Sequence, residues 1–163
     1  MHDPKEVADR FDAILDTYYG AWFRYHPEAA VDAGHDEYAD RFTPYGDDDI
    51  GALITLNREL MFSLDELDSE SLDADRLIDY ELAWSNAGLE TEELLESDWR
   101  YRDPECYLPV EAIHQLLVRP VNNFEHALTE RLKSIPQHLR GARQKLGSQA
   151  EQIPPLWIKS ALQ

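Results

Sequence analysis

The chain has 163 residues, 43% of them hydrophobic, a formal net charge of −18 and one cysteine, Cys106. That length suffices for one domain with a real core, and a lone cysteine excludes an internal disulfide or a cysteine-rich zinc site. The acidity excludes a nucleic-acid backbone as partner, since affinity there comes from Lys and Arg displacing counterions.

The charge is unevenly spread. Residues 1–111 carry a net −22 and residues 112–163 a net +4. The opening MHDPKEVADRF lacks the basic-then-apolar layout of a signal peptide, and no apolar run approaches membrane-spanning length. A cytoplasmic protein with no membrane partner is the expectation.

Asp3-Pro4 reads as an N-cap followed by proline at the first helical position. Val7, Phe11, Ile14, Leu15, Tyr18, Trp22 and Tyr25 then keep the three-or-four spacing of one helical face. His26 precedes Pro27 and is pushed out of helical geometry, so the spacing predicts a helix ending at about Tyr25. The aromatics of YYGAWFRYH continue a stripe begun by Val7 and Phe11, which makes them core, with Phe11 and Trp22 on its buried side. Tyr19 and Phe23 widen that stripe.

PEAAVDAG predicts a short helical turn closed by Gly34, followed by the loop HDEYADRFTPYG. Asp47, Asp48 and Asp49 suit the exposed amides of a helix start. The helix they open carries Ile50, Leu53, Ile54, Leu60, Met61, Leu64 and Leu67. Ser71 or Asp73 can cap the next, whose apolar positions are Leu77, Tyr80, Trp84, Ala87, Leu94 and Leu95. The short DSES link predicts an antiparallel hairpin of these two.

RYRDPECYLP is a second irregular stretch. After it come three shorter helices, Val110 to Val118, Val121 to about Lys133 and Ile135 to about Leu146, punctuated by Pro120 and Pro136. GSQAEQIPP is a loop, and LWIKSALQ begins another helical pattern. With no strand alternation and no repeat, the fold is predicted all-α: long antiparallel helices followed by shorter, proline-punctuated ones. Residues 1–163 read as a single helical domain, or as the helical start of a longer chain, with a sub-boundary near 98–109.

Tests for chemistry return no complete constellation. H-E-x-x-H does not occur. Glu111-Ala-Ile-His114 is a single E-x-x-H, whereas di-iron bundles need two plus two further glutamates. His114, His126 and His138 recur every twelve residues, but the prolines between them break any one helix that would align them. An EF-hand read from Asp47 fails at Ala52 and Arg58, where Gly and Glu are required. Cys106 has no nucleophile signature around it, and the glycines form no phosphate loop. No catalytic, cofactor-binding or metal residue is therefore assigned.

Five stretches in order nevertheless carry a resemblance: YYGAWFRYHPEAAVDAG with ADRFTPYG, DADRLIDYELAWSNAGLETEELLE, WRYRDPECYL, LLVRP and IPPLWIKSAL. Together they resemble the N-terminal part of the bacterial family known as domain of unknown function 885. That family is similar to helical zinc metallopeptidases whose H-E-x-x-H lies far downstream. The resemblance implies a structural, cleft-forming segment, inactive alone, in a chain that continues past Gln163, with zinc only in that downstream region. Its partners would be the rest of its own chain or a second copy, and its candidate substrate a peptide. Tyr38, Tyr45, Trp99, Tyr101 and Tyr107 lie in irregular stretches and are candidates for facing the cleft. The other reading is a stand-alone helical module that binds a protein or regulates one.

Overall fold

The computed structural model describes residues 3–162. The fold is all-α, with seven α-helices and no strand among the described residues. The helices are α1 (Pro4–Trp22), α2 (Pro27–Asp32), α3 (Asp47–Asp65), α4 (Ala74–Glu92), α5 (Val110–Val118), α6 (Phe124–Ser148) and α7 (Pro155–Ala161), joined by 3₁₀ turns and one π turn, Glu93–Ser97. They form two compact units, each assembled from separated stretches: residues 3–22 with 46–97, and residues 23–45 with 98–162. No helix among the described residues is long and apolar enough to cross a membrane.

In the first unit α1 begins as its sequence predicts: the Lys5 amide donates to Asp3 Oδ1 at 3.0 Å. Val7, Phe11 and Tyr18 of α1 then pack on Leu60 and Leu64 of α3, on Leu67, and on Ala83 and Ala87 of α4. Asp73, not Ser71, caps α4, accepting from the Arg76 amide at 2.9 Å. The hairpin is antiparallel, because Asn57 meets Glu90 (2.8 Å) while Asp65, further along α3, meets the earlier Trp84 (3.1 Å).

Three expectations for this unit need correction. The first helix ends at Trp22, three residues before Tyr25. The next residue, Phe23, opens the second unit's chain segment, and within that unit its ring lies 4.6 Å from that of His35, centroid to centroid. Trp22 is half-buried, not enclosed, because its indole Nε1 donates to the Glu90 carboxylate at 3.2 Å and keeps a polar edge. The buried face of α4 consists of Ala83, Ala87 and Thr91, while the larger Leu77 and Trp84 are exposed. Ala83 and Ala87 pack in one cluster with Leu60 and Leu64 of α3.

Asn57 is fully buried at the centre of this packing. Its Oδ1 accepts from the Tyr18 hydroxyl at 2.9 Å and its Nδ2 donates to Glu90 at 2.8 Å. One side chain thereby fixes α1, α3 and α4 against each other through directional bonds, at a place where unpaired polar atoms would be costly.

In the second unit Gly34 closes α2 as predicted, with φ of +90° and the His35 amide donating back to the Ala30 carbonyl at 2.8 Å. Val31 and Ala39 pack with Leu116 of α5 and Ala127 of α6. Residues 124–148 form one helix with Pro136 inside it, where the sequence predicts two helices. Proline withdraws the amide that would reach the Leu132 carbonyl. On either side of that gap Arg131 Nη1 donates to the Ala112 carbonyl, and His138 Nε2 lies 3.1 Å from the Tyr107 carbonyl.

Candidate functional site

Chemistry-bearing side chains concentrate in the second unit, and most of them turn inward. Asp98 takes φ of 25°, outside ordinary L-residue space, and its carboxylate grips Arg100 with two bonds of 2.8 Å. Arg100 is buried and donates a further bond to the Tyr45 carbonyl at 3.2 Å. The Tyr45 hydroxyl donates to the Cys106 carbonyl at 2.8 Å, and the Tyr107 hydroxyl to the Arg100 carbonyl at 2.9 Å. Around them the Tyr45 ring lies 5.4 Å from Trp99, 4.9 Å from Tyr107 and 5.6 Å from His138, centroid to centroid.

This cluster shows where the five loop aromatics go. Tyr45, Trp99 and Tyr107 anchor the two irregular stretches on each other, and edge-to-face ring pairs hold them. Tyr101 carries the Lys145 ammonium at 5.2 Å from its ring centre, and Tyr38 carries the Arg41 guanidinium at 5.5 Å. Burial pushes the phenols of Tyr45 and Tyr107 well up, so both stay protonated near neutral pH. Burial also pushes the Cys106 thiol up, and its Sγ donates to the Asp103 carbonyl at 2.9 Å. A protonated, hydrogen-bonded thiol is a poor nucleophile.

Glu111 and His114 sit exposed on α5, on one wall of a groove of about 470 Å³ whose other wall includes Glu28 and Asp32 of α2. Two of the groove's carboxylates are engaged. Glu28 accepts from the Thr43 hydroxyl at 2.6 Å, and Asp32 pairs with Arg119 at 3.2 Å. His126 lies 3.8 Å from Asp40, and His138 packs on Phe42, so the three evenly spaced histidines do not converge. No group of three His, Cys, Asp or Glu side chains among the described residues is placed to hold a metal ion, and His2 lies outside them. These residues therefore do not fit a zinc centre.

Compared with protein-family models, curated proteins and solved structures, the chain matches none.

Sequence reasoning missed Arg131. It is fully buried, with its guanidinium carbon 5.9 Å from the centre of the Phe42 ring. Nη1 reaches the Ala112 carbonyl, while Nε and Nη2 meet no acceptor. Burial lowers its pKa, and the nearby Glu28 and Asp40 carboxylates oppose that shift. A basic residue on a mostly polar helix gives no local sign of such burial.

Two apolar faces stay open, one in each unit. On α4, Ile78, Leu82 and Leu89 are 57%, 54% and 60% exposed. On α7 no residue is buried, with Leu156 at 72% and Leu162, just after its end, at 82%. Both faces follow from spacing already present in the sequence, but only the structure shows that nothing in the described chain covers them.

Proposed function

We propose that the chain is the helical, cleft-forming portion of a protein resembling zinc metallopeptidases, structural in role and inactive by itself. The observation that carries this reading is the open face of α7. Leu156, Trp157, Ile158 and Leu162 are exposed together, and apolar surface of this kind marks a place where further polypeptide packs. A groove of about 440 Å³ beside it, lined by Asp103, Glu105, Trp157 and Lys159, gives that polypeptide a shaped seat. The five stretches that resemble the domain of unknown function 885 family support the same reading.

The test has two parts. The purified chain, incubated with zinc and mixed peptides, should release no products, and turnover would overturn the claim that it is inactive alone. The reading frame beyond codon 163 is expected to encode H-E-x-x-H on a helix, two zinc ligands beside a general base. A stop there, or a continuation without the motif, removes the peptidase inference.

The α4 face favours a second reading, a helical module that binds another protein.

A further inference from the structure

We propose that the outward face of α4 docks an amphipathic helix of another protein whose apolar stripe is flanked by Lys and Arg. The inference rests on the binding-module reading and names its partner. At 100° per residue, Ile78, Leu82, Ser85 and Leu89 fall within one narrow arc, opposite the Ala83, Ala87 and Thr91 face that packs inward. The stripe runs about 16 Å from Ile78 to Leu89, three turns of helix. Exposed Ser85 lies between the large side chains as a notch that admits a partner's Leu or Phe, the ridge-and-groove arrangement of packed helices.

Charge selects the occupant. Asp75, Asp79 and Glu93 border the stripe on one side, Glu81 and Glu92 on the other, and all five are exposed. The one basic residue of α4, Arg76, points away, held by Asp12 at 2.7 Å and Asp73 at 2.6 Å. A second copy would bring an identical acidic border and a net −18 of its own against this one. An anionic membrane surface is repelled for the same reason. A helix with basic flanks meets five carboxylates and three aliphatic side chains with complementary groups, as in helix-on-face recognition generally.

The test uses the 163-residue chain and two synthetic helical peptides of roughly 18 residues, long enough to span the stripe. One has Leu on one face and Lys on both flanks, and the other has Glu in place of Lys. Binding is read by fluorescence anisotropy at low and moderate salt. The Leu/Lys peptide should bind and weaken with salt, while the Leu/Glu peptide should not bind. Leu82→Gln with Leu89→Gln should weaken binding at least about tenfold, as losing two of the three aliphatic anchors of a helix contact does. Leu132→Gln on α6, an exposed leucine outside the stripe, should leave binding unchanged. Circular dichroism checks that the double variant folds, and Ile78→Gln gives an independent reading should it lose helix.

Equal binding of the Leu/Glu peptide at the stripe would overturn the partner's charge class and leave the binding-module reading intact. If neither peptide binds, both fall. Wild-type affinity in the double variant places the peptide elsewhere and overturns the site. A wild-type dimer that the double variant dissolves makes a second copy the occupant, and vesicle binding lost in that variant makes it a lipid surface. Either result overturns the proposal.

Discussion

Each of the two compact units buries one large polar side chain completely, Asn57 in the first and Arg131 in the second, and each treats it differently. The Asn57 side chain engages at both ends, accepting a hydrogen bond from the Tyr18 hydroxyl and donating one to Glu90. Arg131 gives one bond to the Ala112 carbonyl and lays its guanidinium over Phe42, while two of its nitrogens meet no acceptor. The first arrangement specifies three helices at once. The second uses a long side chain to fill space between α5 and α6, with its charge only partly answered. Burial of a polar group is therefore no guide to its worth; the partners that depend on it are.

Several perturbations separate the two cases. The largest effect belongs to Phe11→Ala, which should cost roughly 3–5 kcal/mol as a fully enclosed aromatic is removed from the first unit's core. Amide hydrogen exchange on that variant shows whether protection falls only in residues 3–22 and 46–97 or in both units. A loss below about 1 kcal/mol would contradict the enclosed placement.

Next, Asn57→Leu should cost about 2–4 kcal/mol, since it strands the Tyr18 hydroxyl and takes one donor from Glu90. Adding Tyr18→Phe should recover part of that loss in denaturant titrations. Arg131→Met, by contrast, should fall within about 1 kcal/mol of the natural chain or exceed it. Its carboxylate neighbours keep other partners: Glu28 has the Thr43 hydroxyl, and Asp40 has Arg41 at 2.9 Å. A loss for Arg131→Met as large as that for Asn57→Leu would abolish the contrast.

Smaller effects come from charge. Burial holds the pKa of His138 below the ordinary imidazole value, so the unfolded chain takes up the proton first as pH falls. The stability it supports is present above about pH 6.5 and is lost as pH drops through that value. His138→Phe should flatten that slope in melting curves measured against pH. Smallest of all, the melting temperature should rise from low to moderate salt. The net −22 over residues 1–111 is screened over roughly 8–10 Å at physiological ionic strength. A flat curve would indicate that these acids are already paired.

Features set by neighbours in the chain were legible in advance. The Asp3-Pro4 start, the Gly34 closure, the acidic opening of α3 and the α3–α4 hairpin all depend on contacts within a few turns. Asn57 falls on the Leu53, Leu60 and Leu64 face, but its role was not legible, because its partners lie 39 and 33 residues away. The face of α4 was misread for a related reason. Hydrophobicity ranks Leu77 and Trp84 above Ala83, but it is Ala83 that is enclosed in the cluster with Leu60 and Leu64. Pro136 reads as a break because local sterics favour one, yet residues 124–148 run through it as one helix, with contacts to α5 and the 105–107 turn on either side. Of the candidate surfaces, α7 was recognisable as apolar from its sequence, whereas the α4 stripe emerged only once the opposite face was known to be buried.

Because each unit is stitched from separated stretches, the ribosome makes neither as one continuous run. Residues 23–45 emerge early, yet Glu28, Asp36 and Phe42 find their partners in Gln115, Asn122 and His138. At translation rates of about 5–20 residues per second, that segment waits on the order of several seconds for the residues that enclose it. The first unit needs no residue beyond 97, so its last stretch is made before any of residues 98–162. Val31 and Ala39 must meanwhile stay available to Leu116 and Ala127.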